Sequence, residues 1–176
     1  MRRLRVVAGA GLIVGLLTAV AFAPAATSAT APAVRHEVIA VYLGSRGTDE
    51  QSGMVQAVKD MRDLLTKQAV STNRRFILRG VSLEPTVEEG LQDLSLFGTF
   101  DEVSVGGNWT NSAVVRYIGT RFDSAQASGI PQVVLLERDV TEGGPSSLTV
   151  SPEREIARYV GTRDIDTWVR RGAPLP

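Results

Sequence analysis

Thiol, metal and acid–base chemistry each need particular side chains, and this chain has few of them. It contains no cysteine and a single histidine, His36. Without a thiolate there is no disulfide, no thiol–disulfide exchange, no thiolate metal ligand and no lipidated cysteine at a mature N-terminus. His36 has no second histidine with which to share a metal, and no Gly-x-Ser-x-Gly surrounds a serine. It therefore reads as a strand-edge residue and not as a catalytic base. Asp49-Glu50 and Asp101-Glu102 are adjacent carboxylates. Neighbours in sequence do not face each other across a substrate, so helix capping and an exposed edge explain them better than acid–base or metal chemistry.

Two stretches remain. Gly44-Ser45-Arg46-Gly47 with Thr48 is a glycine-containing turn entering a helix. Its backbone N–H groups and Arg46 could hold an anion, although the phosphate-loop lysine and spacing are missing. The plainer alternative is a capped turn with no ligand. Gly106-Gly107-Asn108-Trp109-Thr110 places a tryptophan beside two glycines at the mouth of a helix. Trp109 is either an exposed recognition aromatic or a cap on the core. No cofactor and no metal is implied by any of these residues.

The composition is that of a globular protein: 176 residues, 43% apolar, formal net charge zero. No basic surface is advertised for nucleic acid. Arginine strongly outnumbers lysine, which associates with a GC-rich bacterial source. Residues 1–33 have the pattern of a secretory signal peptide. Arg2, Arg3 and Arg5 are followed by an uncharged apolar run, Val6 to Phe22, and then by Ala-x-Ala sites ending at Ala33. The Arg2-Arg3 pair lacks the rest of a twin-arginine motif, which favours the general export route. The alternative is an uncleaved N-terminal membrane anchor over Val6 to Ala26, about 20 residues being enough to span a bilayer. Cleavage near Ala33 removes three arginines and no acid, leaving the mature chain mildly acidic. Residues 34–176 then form a single exported domain, periplasmic or secreted.

The order of elements that positions these residues can be read from periodicity. His36 to Gly44 is a nearly continuous apolar run with β-branched residues, a strand covered on both faces. Thr48 and Gln51 have capping-box spacing for a helix carrying Met54, Val58, Met61 and Leu65 on one face, to about Gln68. Arg75 to Val81 is a second strand. Thr86 and Glu89 form another capping box, opening a helix with Val87, Leu91 and Leu94 as its apolar face and Gly98 as its stop. Phe100 to Val105 holds at best a short strand. A helix capped by Thr110-Asn111 carries Val114, Val115, Tyr117, Ile118 and Phe122. Gln132 to Val140 is an apolar strand after Pro131, and the Glu142-Gly143-Gly144-Pro145-Ser146 turn leads to a strand over Arg154 to Val160, an antiparallel hairpin. Thr162 caps a last helix with Ile165, Trp168 and Val169 on one face.

Three of these features together resemble the thioredoxin-like fold. An apolar strand, Val38 to Leu43, feeds a capped helix; Gly129-Ile130-Pro131 opens a later apolar strand; a hairpin and an amphipathic helix finish the chain. The resemblance covers most of the chain from His36 onward. It implies an α/β fold with a central mixed sheet flanked by helices, and with one inserted helix and short strand between Thr86 and Gly107. It also implies that Pro131 matches the family's cis-proline, which faces the helix bearing the Cys-x-x-Cys pair. The corresponding turn here, around Gly47 to Gln51, reads Gly-Thr-Asp-Glu-Gln, so the chain resembles a redox-inactive member. The family's use of this edge implies a contact surface made of Ser45, Arg46, Gly47, Thr48, Ile130 and Pro131, where an extended polypeptide or another extracytoplasmic protein adds as a strand. Two alternatives stay open. One is a non-redox enzyme using the same edge for transfer or hydrolysis. The other is an unrelated α/β domain, which a strand order without the closing antiparallel hairpin would favour.

Overall fold

The computed structural model describes residues 33–49, 53–118, 129–143 and 147–176. Residues 1–32, which hold most of the expected signal peptide, and Glu50, Gln51 and Phe122 lie outside the described residues. Strand β1 spans Ala33–Gly44, so it begins one residue before the domain boundary read from the sequence. A four-residue helix α1, Arg46–Asp49, precedes α2, Met54–Ser71. Then follow β2 (Arg75–Ser82), α3 (Val87–Ser95), β3 (Glu102–Ser104), a 3-10 turn (Asn108–Thr110) and α4 (Ser112–Tyr117). The chain closes with β4 (Gln132–Glu142), β5 (Leu148–Val150), β6 (Arg154–Val160) and α5 (Thr162–Arg170).

The strands form one mixed sheet in the order β3-β2-β1-β4, with β5 and β6 both on the outer edge of β4. β1 and β2 are parallel, joined by the α2 crossover, with Ile39 opposite Ile77. β4 runs antiparallel to β1, Leu43 facing Gln132 at one end and Ala33 facing Glu142 at the other. β6 returns antiparallel to β4, with a register shift between Leu135 and Leu136. A parallel pair with its crossover, then a closing antiparallel hairpin and a final helix, is the thioredoxin-like arrangement, and this is a thioredoxin-like fold. The expected hairpin is present but longer, because β4 runs on to Glu142 and pairs there with β5.

Both faces of the sheet are covered, which is why its central strands read as unbroken apolar runs. On one face Ala40, Tyr42, Leu78, Val133 and Leu135 pack under Met54, Val58, Met61 and Leu65 of α2 and Ile165, Trp168 and Val169 of α5. On the other, Ile39, Val41, Leu43, Ile77, Val81, Val134 and Leu136 pack with Val114, Tyr117 and Ile118 near α4. Each such fully buried aliphatic contributes about 1.5–3 kcal/mol relative to exposure. Trp168 is a core residue, stacked on Tyr159 with ring centroids 4.3 Å apart.

Four local expectations are corrected. Thr48 does not cap α2; it lies in α1, and Gly53 is the α2 N-cap with φ 72, a left-handed conformation that glycine adopts without strain. Thr162 is the first residue of α5, not its cap, and Gly161 holds the N-cap position. The buried face of α3 is Gly90, Asp93 and Leu94, while Val87 and Leu91 are exposed. The helix is rotated this way because Gly90 packs directly on Val105 and Asp93 accepts a 3.1 Å hydrogen bond from Ser82 Oγ. On α4, Val115 faces solvent. The Thr86/Glu89 capping box forms as the spacing predicts.

One strongly polar site interrupts the apolar faces. Glu37 of β1 is 2% exposed. Its carboxylate accepts from Arg138 Nε at 2.8 Å and Arg35 Nε at 3.0 Å, with Arg75 at 3.7 Å. Burial alone would raise this carboxyl, but the hydrogen bonds and positive charge of Arg138 and Arg35 outweigh it and hold Glu37 below the ordinary carboxylate value.

Candidate functional site

The β1–β4 register ends at Leu43 opposite Gln132, so Gly44–Arg46 and Ile130–Pro131 lie at the same end of the sheet. The C-terminal end of β2 arrives there too, since Leu83 N donates to Gly44 O at 2.9 Å. Beyond it stands Glu84. Its Oε1 accepts from Ser45 Oγ at 2.9 Å and from the Arg46 backbone N–H at 2.9 Å. An internal carboxylate thus already takes two of the donors that the sequence offered to an incoming anion. A free anion at Ser45–Arg46 must compete with Glu84, whereas a ligand that uses backbone or apolar contacts need not. Gly47 is exposed.

Glu84 also ties in the tryptophan turn. Gly107 N donates to Pro85 O at 2.9 Å and Asn108 N to Glu84 O at 3.4 Å. Gly106, Gly107 and Asn108 all have positive φ, which lets the chain reverse tightly against this segment. Asn111 holds the far side of the reversal, its amide donating to Gly106 O at 2.9 Å while its carbonyl accepts from Ala113 N and Ser104 Oγ. The Glu84–Pro85 segment therefore links the Ser45 turn to the Trp109 turn. Trp109 is 45% exposed, so its ring is not a core cap.

The Ile130–Pro131 peptide is cis. Pro131 is buried, and its carbonyl accepts from Gly161 N at 2.8 Å, which anchors the loop to the start of α5. Gln132 behind it is fully buried. Its amide donates to Gly129 O, and its carbonyl accepts from Arg158, whose guanidinium also donates to Tyr117 O at 2.9 Å. Ile130 is half-buried against the Ile39–Val134 face. Among the described residues, none donates to the Ile130 carbonyl or accepts from its amide.

Four of the named residues thus share one end of the sheet, Ser45, Arg46, Ile130 and Pro131, with Gly47 following in α1 and Trp109 linked to them through Glu84–Pro85. Thr48 lies in α1. The sequence reading missed two residues that fix this end, Glu84 and Gln132. Gln132 carried a signal, as the polar residue opening an otherwise apolar strand. Glu84 carried none, because its two partners lie far away in the chain.

No protein-family model and no curated protein matches the chain. Among solved structures it is similar to a thiol:disulfide interchange protein of the thioredoxin family from Chlorobium tepidum TLS, at TM-score 0.34 and 15% identity, over 78% of this chain and 81% of that one. It is also similar to BsSco, a member of the Sco family of cytochrome c oxidase assembly proteins, at TM-score 0.36 and 15% identity, over 78% and 80%. At that distance neither likeness carries an argument, and the fold assignment stands on the strand order. Nor does either bring thiol chemistry to a chain without cysteine.

Proposed function

We propose that this chain is an exported, redox-inactive thioredoxin-like module that binds an extended segment of an extracytoplasmic protein at the Ser45–Thr48/Ile130–Pro131 end of the sheet. The observation that carries it is the placement of half-buried Ile130 and of the Ser45–Arg46 turn at the same end of the sheet. Strand addition at a sheet end uses main-chain hydrogen bonds for affinity and neighbouring side chains for selection. Exposed Trp109, tied to the same end through Glu84–Pro85, offers an aromatic contact of the kind that anchors interfaces. The export reading rests on the pattern of residues 1–33. No helix among the described residues is long and apolar enough to cross a membrane.

The test is a peptide array probed with wild type, Ile130→Asp and Trp109→Ala. Extended peptides that bind wild type and lose about tenfold or more with either variant support the reading, as expected for contacts of 1.4 kcal/mol or more. Binding unchanged in both variants, or no binding at all, counts against it.

A further inference from the structure

At the opposite end of the sheet from Ser45 and Ile130, β5 closes the strand order β3-β2-β1-β4-β5. It pairs with β4 through Leu148–Glu142, Thr149–Thr141 and Val150–Val140, and no strand among the described residues lies on its far side. Ser147 O accepts from Gly143 N and Ser151 N donates to Asp139 O, both at 2.9 Å. The odd-numbered residues of this stretch thus turn their backbone groups toward β4. In an antiparallel ladder the direction alternates, so Leu148 and Val150 present N–H and C=O outward.

All three residues of β5 are exposed, Leu148 at 64% and Val150 at 46%. Sheets commonly blunt an edge with lysine, proline, a bulge or an inward-pointing charge. Ser147 to Ser151 contains no charge and no proline, and the β4–β5 register runs without a shift. On the face that carries Leu148 and Val150, the neighbouring Arg35 and Glu142 pair with each other at 3.0 Å, so no unpaired charge repels an incoming strand there.

The stretch reads Ser-Leu-Thr-Val-Ser, the same chemical pattern in both directions about Thr149. A two-fold axis at Thr149 therefore sets an antiparallel second copy in matched register. Leu148 of each copy stands opposite Val150 of the other, and each such contact exchanges both N–H···O bonds through the outward-facing groups. Apolar meets apolar on one face and threonine meets threonine on the other, both favourable cross-strand pairs. We infer that this chain self-associates through β5 into a two-fold dimer whose sheet continues across the seam. The edge offers no charge by which to select a different strand, whereas its own sequence meets it residue for residue. A seam of three residues falls well short of the roughly 20–30 residues a side of a standard interface, so the dimer is weak and concentration-dependent. The seam leaves the Ser45/Ile130 end open, and neither proposal depends on the other.

The test is sedimentation velocity of the full chain from about 10 μM to about 1 mM, joined to a cross-linking assay. A monomer–dimer equilibrium is expected. Val150→Pro removes an outward donor from each contact but no bond to β4, and should weaken the dimer by about tenfold or more. The chain has no cysteine, so Thr149→Cys places a single thiol at the two-fold axis. A pair there has Cα atoms about 4.5 Å apart, within disulfide reach. Under diamide Thr149→Cys should cross-link to dimer at least about tenfold faster than Val70→Cys, a thiol at an exposed position on α2. A chain that stays monomeric at about 1 mM, an association equally strong in Val150→Pro, or Thr149→Cys cross-linking no faster than Val70→Cys overturns the inference. Should Val150→Pro fail to fold, wild-type sedimentation and the two cysteine variants decide.

Discussion

Replacing Glu37 by glutamine keeps the shape of the side chain and removes its charge. Arg138 then loses its 2.8 Å carboxylate partner while its own side chain is only 17% exposed. Breaking a buried pair by removing one member costs about 3–5 kcal/mol, because the remaining charge stays buried. The lower end applies here, since Arg138 keeps Glu153 at 3.3 Å. Arg35 and Arg75 are 40% and 55% exposed, so losing Glu37 costs each of them little. The expected loss is about 3 kcal/mol at pH 7, a large share of the 5–15 kcal/mol typical of a domain. With a urea slope near 2 kcal/mol/M, the unfolding midpoint falls by about 1.5 M. The pH dependence follows from the lowered carboxyl of Glu37. A depressed folded value means that the contribution is complete above the unfolded carboxyl value of about 4.3 and is lost as pH falls through the folded value. Below that point wild type carries a neutral carboxyl much like the glutamine. The gap between the two proteins is therefore constant from pH 6 to 8 and closes in strong acid. Urea unfolding of both proteins across that range measures it. A gap under about 0.5 kcal/mol at pH 7, or one that persists undiminished in strong acid, refutes the reasoning.

Other substitutions probe the elements that hold the candidate site. Glu84→Ala removes the acceptor for Ser45 Oγ and Arg46 N and should cost about 1–2 kcal/mol by thermal unfolding, with the largest amide shifts at residues 45–47. Gly90→Ala places a methyl 2.8 Å from Val105 Cβ, and the overpacking should cost about 1–3 kcal/mol in urea unfolding, although alanine is the better helix former. Leu135→Ala empties a fully buried site between the sheet and its helices and should cost about 2–5 kcal/mol in the same assay.

The central strands were legible because burial on both faces leaves an unambiguous signature. Val38 to Leu43 and Val133 to Leu136 are apolar at every position, and all are buried. The helix faces of α2 and α5 were legible for the same reason, with all seven named apolar residues buried. Periodicity failed on α3, where a glycine and an acid face inward. Gly90 is buried because Val105, just after β3, comes too close for a side chain, and Asp93 turns inward to accept from Ser82. Both are tertiary facts with no local trace. The start of α2 was misplaced because Thr48/Gln51 is a sound capping pattern, yet a left-handed glycine five residues after Thr48 sets the boundary. At the candidate site the meeting of the β1 and β4 ends was legible from strand order. The Ser45–Glu84 bond was not, since it joins residues 39 positions apart.

The most direct test of the binding proposal is an amide chemical-shift map of the chain titrated with the tightest peptide from the array. The account predicts saturable shifts concentrated at Ser45–Gly47, Gly129–Ile130 and the Trp109 side chain, with the Ile130 amide gaining protection from exchange. Shifts confined to another surface, or an Ile130 amide left unprotected at saturation, would contradict it.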